Sequence, residues 1–289
     1  MRRSLLFIPG NNPAMLQNAD VFGADAVIFD LEDAVNVLQK DAARSLMQCY
    51  LNTHPNQVME VVVRINGLDT AYYEEDLDKI VSDNIDTIML PKARVEYLIK
   101  LDEILTKLEK ERHLKKKIGI IPIIELAVSV LEVEEIAKQK RVNGILLGAE
   151  DLTSDMEVTR TKQGVEIEYP RARIAMACKA YQIDAIDTPF TDVNDYEGLE
   201  RDALHAQELG MNAKSAIHPN QLDTINQIFL PTEKQIRWAL RVRQATKEAA
   251  TKGLGVFSLD GKMVDKPVME RAEKILLKAE KFGALPDEE

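Results

Sequence analysis

Glu125 and Asp151 stand 26 positions apart, each just after a short apolar run. If those runs are neighbouring strands, about 4.8 Å apart, both carboxylates reach one ion. Two carboxylates completed by substrate oxygens and water are a usual way of holding Mg2+. Zinc is disfavoured, because 4 His and 2 Cys fall in no ligand spacing. The same two acids also suit ordinary helix and loop caps, so the pair alone leaves both readings open. Arg64 offers a planar fork for a carboxylate or carbonyl oxygen. Lys92, after Leu90-Pro91, would need a depressed pKa to form a Schiff base. Its acidic surroundings instead favour a protonated lysine, in a salt bridge or at a substrate. His218, in Ile217-His-Pro-Asn-Gln, is open to a general-base role, although a His-Pro helix entry is more often structural. Thr153 and Ser154 have no His partner in sequence, so a hydrolytic triad is unsupported.

Positioning these groups falls to a regular alternation of elements. Strand-like apolar runs occupy residues 5–8, 26–29, 58–65, 87–90, 118–124, 144–147, 183–186 and 213–217. Several are apolar at consecutive positions, as in strands buried on both faces of a parallel sheet. Helical periodicity fills the gaps. In 94–117 it is carried by Val95, Leu98, Ile99, Leu105 and Leu108, and in 126–139 by Val130, Val133, Ile136 and Ala137. Eight such units predict an α/β fold, the (β/α)8 TIM barrel. A doubly wound sheet would carry a glycine-rich loop after its first strand, where this chain has Pro-Gly-Asn-Asn-Pro.

In such a barrel the reacting groups collect at the C-terminal strand ends. Those positions here are Asp30, Glu32 and Asp33; Arg64 and Asn66; Lys92; Glu125; Glu150 and Asp151; Asp187; and Lys214 with His218. One charge at a strand end is an ordinary helix cap. A charge at nearly every strand end predicts a site.

The barrel takes residues 1–230, and 231–289 form a C-terminal helix–hairpin–helix extension of the same domain. Thr232-Glu-Lys-Gln235 is a capping box, and its helix is expected to stop at Gly253. Residues 256–259 and 262–264 flank Asp260-Gly261 as a hairpin. Pro267 opens a last helix to about Phe282. A lid or a subunit contact is the expected role.

Composition narrows the function. Lys plus Arg number 37 and Asp plus Glu 48, a formal charge of −11. No basic stripe is available for a phosphate backbone, which argues against nucleic acid as a partner. No apolar run approaches the roughly 20 residues of a membrane span. The run in MRRSLLFIPGNN lacks a cleavage site and ends early at Pro9-Gly10, so it is not read as a signal peptide. Cys49 and Cys178 read as reduced, buried small hydrophobes of a cytoplasmic protein.

RRSLLFIPGNN, DAVIFDLEDAV, VVRIN, LPKA, IPIIE, GILLGAEDL, KSAIHPNQ and GLGVFSLDGKMVDKPVMERA together span essentially the whole chain. With these stretches the sequence resembles the citrate lyase β chains, citryl-thioester lyases within the metal-dependent HpcH/HpaI-type aldolases. AIDTPFTDVND matches more loosely. The resemblance implies a (β/α)8 barrel, usually a homotrimer, that binds Mg2+ through Glu125 and Asp151. It implies substrate contacts from Arg64 and Glu125, with Glu32 and Asp33 holding metal waters and lining the pocket. Lys92 and Lys214 join this substrate-binding set as the cations at their strand ends. The implied reaction cleaves a citryl thioester to oxaloacetate and an acetyl thioester. The implied partners are an α subunit and an acyl carrier (γ) subunit. Asp265 is implied as the acid that protonates the acetyl enolate, from a neighbouring subunit; as a residue two before Pro267 it also suits a plain helix cap. The alternatives are a malyl-CoA or citramalyl-CoA lyase on the same scaffold, or a catalytically silent thioester-binding subunit.

Overall fold

Continuous apolar runs need cover on both faces, and a closed barrel ringed by helices supplies it. The computed structural model describes residues 1–286 apart from Asn56, Lys252 and Leu254. Two compact units are present, Met1–Asn226 and Gln227–Glu289. In the first, eight parallel strands close a barrel in sequence order. They are β1 Ser4–Pro9, β2 Ala26–Asp30, β3 Glu60–Arg64, β4 Thr87–Leu90, β5 Gly119–Ile124, β6 Gly144–Leu147, β7 Asp184–Asp187 and β8 Ala213–Ala216. β1 closes the ring against β8, with Ser4 opposite Lys214. The fold class expected from the periodicity is the one observed.

Alternate side chains along each strand point into the barrel. Leu5, Ala26, Ile28, Val62, Met89, Ile121, Ile123, Leu146, Ile186 and Ala213 make one buried cluster there. Extending the inward rows by two residues reaches Asp30, Arg64 and Glu125 at the C-terminal ends. The opposite parity sends Asp187 and Lys214 outward, toward the helix layer.

Two helices differ from their sequence expectation. The pattern over 126–139 forms two short helices, Ala127–Leu131 and Val133–Ala137, meeting at Glu132. Glu132 is drawn to Arg94, whose Nε and Nη2 donate to it at 3.1 Å. The pattern over 94–117 ends early, giving the helix Val95–Glu111. His113 turns left-handed (φ 54°) and the Leu114 N–H bonds back to Glu109, a Schellman closure. Of the two free cysteines only Cys178 is buried; Cys49 is exposed on the helix Lys40–Thr53.

The second unit follows its sequence pattern. Thr232 and Gln235 exchange the reciprocal capping-box bonds at 2.8 and 3.2 Å. The helix Glu233–Thr251 is followed by β9 Phe257–Leu259 and β10 Lys262–Val264, and then by the helix Lys266–Lys281. Asp260 and Gly261 both adopt positive φ, as a type I′ turn requires. Ile236, Ala239, Val242, Val264, Ala272, Leu276 and Ala279 form its core. Among the described residues no helix is long and apolar enough to cross a membrane.

Candidate active site

Asp30, the last residue of β2, is buried and organises the mouth. Its carboxylate accepts Arg64 Nε at 2.7 Å and Nη2 at 2.6 Å, a bidentate pair. It also accepts the backbone N–H groups of Glu32 and Ala34, at 2.9 and 3.0 Å, which folds the acidic turn. The third guanidinium nitrogen of Arg64, Nη1, lies 3.0 Å from Glu32 and 3.4 Å from Asp33. The Phe7 ring packs against the guanidinium, 5.2 Å from its carbon. Burial acts to lower the Arg64 pKa, but the Asp30 hydrogen bonds and the carboxylates around it raise it, so the cation is fixed.

Glu32 carries the opposite strain. Burial pushes its carboxyl up to about 8; Arg64 partly offsets this, while Asp33, Glu125 and Asp30 add repulsion. Its Oε2 is buried without a hydrogen bond, despite the nearby Arg64. The turn beneath it is clamped from below. Lys40 Nζ donates to the carbonyls of Leu31 and Glu32, both at 2.7 Å. Lys40 had not been picked out from sequence, although a lysine opening a helix opposes the macrodipole and so calls for a specific partner. Asn66 is a support too. Its amide donates to Leu31 O and, with its backbone N–H, to the buried Asp76.

Glu125 continues β5 and is only 3% exposed. Its Oε1 accepts the Lys92 backbone N–H at 2.5 Å. Burial raises its carboxyl to about 7, with the Lys92 hydrogen bond acting against the shift and the Asp151 charge with it. Asp151 lies exposed in the first turn of the helix Ala149–Asp155, which follows β6. Glu125 is close enough to both Glu32 and Asp151 for electrostatic repulsion, which adds to the rise of the Glu32 and Glu125 carboxyls. Glu150, beside them, is exposed and lies 3.5 Å from Arg160. A cavity of about 450 Å³ opens beside Asp30, Asp33 and Arg64, walled by Phe7, Pro189 and Ile217.

Two strand-end residues are not at this mouth. Lys214, expected to bind substrate, is fully buried on the outer face of the barrel. Its ammonium donates to Asp187 and Asp202, each at 2.6 Å, and to Thr188 O at 2.8 Å. Asp187 is equally buried, paired with Arg171 from the helix Glu168–Tyr181 at 2.8 and 2.9 Å. All three donors of Lys214 are spent, which corrects its assignment. His218 is exposed and its Nδ1 accepts the Asn220 N–H at 3.2 Å, capping a short turn. Asp265 caps the helix Lys266–Lys281, its side chain accepting the Val268 N–H at 3.2 Å.

Among the described residues no three His, Cys, Asp or Glu side chains form a ready metal cage. Glu125 and Asp151, which repel each other electrostatically, offer oxygen donors only. That donor set suits a hard divalent cation that keeps several waters or substrate oxygens. Burial, with repulsion between the carboxylates adding to it, holds the Glu125 and Glu32 carboxyls above their ordinary range, and a cation there would favour their charged forms.

Known proteins resemble the chain over most of its length. The chain is 43% identical to the citrate lyase subunit beta of Leuconostoc mesenteroides subsp. cremoris, over 96% of this chain and 92% of that one. The CitE protein of Mycobacterium tuberculosis, solved with magnesium, acetoacetate and coenzyme A, superposes with a TM-score of 0.77. It is 30% identical, over 96% of this chain and 97% of that one. A citrate lyase beta subunit from the same organism, complexed with oxaloacetate and magnesium, gives 0.67 at 29% identity, covering 80% and 97%. The family model described as HpcH/HpaI aldolase/citrate lyase matches residues 3–219, and the chain belongs to that family.

Proposed function

We propose that this chain is a Mg2+-dependent carbon–carbon lyase that cleaves a citryl thioester to oxaloacetate and an acetyl thioester, as the β subunit of a citrate lyase. The observation that carries this reading is Arg64, anchored to Asp30 through two nitrogens while a third faces the mouth beside Glu32 and Asp33. The 43% identical relative named citrate lyase subunit beta supports it over the same length of chain.

Glu125 and Asp151 hold the Mg2+, and Glu32 and Asp33 line the pocket and hold its waters. The cation, when bound, supplies Lewis-acid polarisation of substrate oxygens, easing loss of the tertiary hydroxyl proton. Arg64 grips a substrate carboxylate or the thioester oxygen and balances charge as the enolate develops. The Lys92 ammonium is a further substrate contact. The apolar wall of Phe7, Pro189 and Ile217 keeps water from the enolate. Asp265 of a neighbouring subunit delivers the proton to the enolate carbon, which requires an oligomer, and the family resemblance favours a homotrimer or larger complex. The α subunit and the acyl carrier (γ) subunit are the partners, in the cytoplasm. The chain is acidic overall, so docking to an acidic carrier rests on a local basic patch.

Turnover of citryl-CoA, malyl-CoA and citramalyl-CoA, each with and without EDTA, tests the reading. The expected result is preference for citryl-CoA, abolished by EDTA and restored by Mg2+. Preference for malyl-CoA would overturn the substrate, and EDTA-resistant turnover the metal.

A further inference from the structure

Glu125 is gripped on both sides of its carboxylate by features unrelated to side-chain charge. On one side stands the turn after β4. Pro91 fixes its own φ, and Lys92 then enters the left-handed region at φ 47°. After a proline, a turn residue at positive φ is most comfortably Gly or Asn, so Lys is held there at a cost. The turn is pinned by its neighbours: the Ala93 N–H reaches Ile123 O on β5 at 3.3 Å, and Ser129 Oγ donates to Ala93 O at 2.6 Å. This conformation aims the Lys92 N–H at Glu125 Oε1, 2.5 Å away. On the other side lies Gly148, directly after β6. Its φ is an ordinary −94° and its N–H bonds to Ile124 O at 3.0 Å, so conformation does not demand a glycine. Space does. A Cβ at 148 would fall 2.7 Å from both Cβ and Oε2 of Glu125, and 2.8 Å from Ile123 Cγ2.

We infer that Lys92, through its backbone N–H rather than its ammonium, and Gly148, through its missing side chain, are positioning residues that aim the Glu125 carboxylate for Mg2+. Lys92 thus does two separable jobs: its backbone fixes Glu125 and its ammonium is left for the substrate. The inference rests on the reading of Glu125 as a metal ligand.

The test is Mg2+ affinity, measured by calorimetry with Mg2+ alone on the full chain, with folding followed by circular dichroism. Lys92→Gly and Lys92→Asn tolerate positive φ and discard the charge. Lys92→Val also discards the charge, but its branched side chain resists that φ. Gly and Asn are expected to bind within about threefold of the parent and Val at least about tenfold more weakly, the scale of one hydrogen bond to a charged group. Losing a cation near the site would by itself tighten Mg2+ binding, so charge does not predict this order. Gly148→Ala is expected to weaken binding by a similar factor. It keeps an ordinary backbone and carries the test alone if Lys92→Val does not fold. Glu125→Gln separates the two levels. If it binds Mg2+ like the parent, the metal assignment fails. If it loses binding while Lys92→Val and Gly148→Ala keep it, or if Gly and Asn at 92 bind as weakly as Val, the positioning role is overturned.

Discussion

The barrel contains two dense charge clusters, and they are built on opposite terms. On its outer face Arg171 and Lys214 meet Asp187 and Asp202, two cations against two anions, with contacts of 2.6–2.8 Å. At the mouth five carboxylates, Asp30, Glu32, Asp33, Glu125 and Asp151, stand against the single guanidinium of Arg64, which pairs with the first three. The outer cluster settles its charge. Burial would raise the Asp202 carboxyl, yet Lys214 and Arg171 bring it down to about 2. At the mouth burial prevails, and Glu32 and Glu125 rise to about 8 and about 7. Both clusters contain buried charge, so burial alone does not mark a site. The mark is an excess of one sign that a ligand must complete.

The comparison breaks most visibly through one charge removed from each cluster. Glu125→Gln should cut turnover about 1,000-fold, several kcal/mol of lost charge stabilisation. Its thermal midpoint should stay level or rise, because one of the crowded carboxylates has gone. Kinetics and calorimetric melting of the same sample check both halves; a large drop in midpoint would make Glu125 part of the scaffold. Asp202→Asn should do the reverse. Leaving Arg171 and Lys214 one anion short should cost about 3–5 kcal/mol of stability in denaturant melts. Activity per folded molecule should hold. The pH dependence has a defined sign. The folded carboxyl titrates near 2, below its unfolded value of about 3.9. Its stabilisation is therefore complete above about pH 4 and is lost as pH falls through 2. The gap between parent and Asp202→Asn should narrow over that interval, and a constant gap would remove the ionic explanation.

The same contrast explains what could be read from sequence. The eight strands were legible because each is covered on both faces and so is apolar at successive positions. The strand-end charges are legible as a set, while their direction depends on the parity of each strand. Ile186 and Ala213 on the inward rows already place Asp187 and Lys214 on the outward ones, so the error at Lys214 was one of parity. Other features leave no local trace. Nothing in the type of residue 92 announces a positive φ, since lysine is not a left-handed residue by preference. The burial of Cys178 and exposure of Cys49 follow from which face of a helix the core takes, and both helices are mixed enough to hide it.

Asp265 tests whether a helix cap also serves the site. Asn caps a helix as well as Asp does, so Asp265→Asn should leave stability within about 0.5 kcal/mol. As the enolate acid it should lose at least about 100-fold in turnover. Mixing inactive Asp265→Asn and Glu125→Gln subunits, after dissociation and reassembly, then asks whether the two groups meet across an interface. Restored activity supports the shared site. Its absence, in mixed trimers confirmed by mass, rules that site out.

The smallest effect belongs to Arg64→Lys, which sharpens the comparison because it leaves every charge in place. The guanidinium divides its nitrogens: Nε and Nη2 bind Asp30, and Nη1 points among Glu32 and Asp33. A lysine ammonium is a single point on a flexible stem and cannot hold Asp30 and face the mouth together. It should settle on Asp30, whose carboxylate is the most buried of the three. The acidic turn then stays folded by the Asp30 bonds to Glu32 and Ala34, and the thermal midpoint changes little. What disappears is the nitrogen left for substrate. The expected loss is at least about tenfold in kcat/KM, the value of one charge-assisted contact. A higher KM with kcat unchanged would place that contact in the bound substrate, and a lower kcat would place it in the transition state. Unchanged kinetics would make Arg64 a partner of Asp30 alone, and the mouth would then have no cation of its own directed at the substrate from β3.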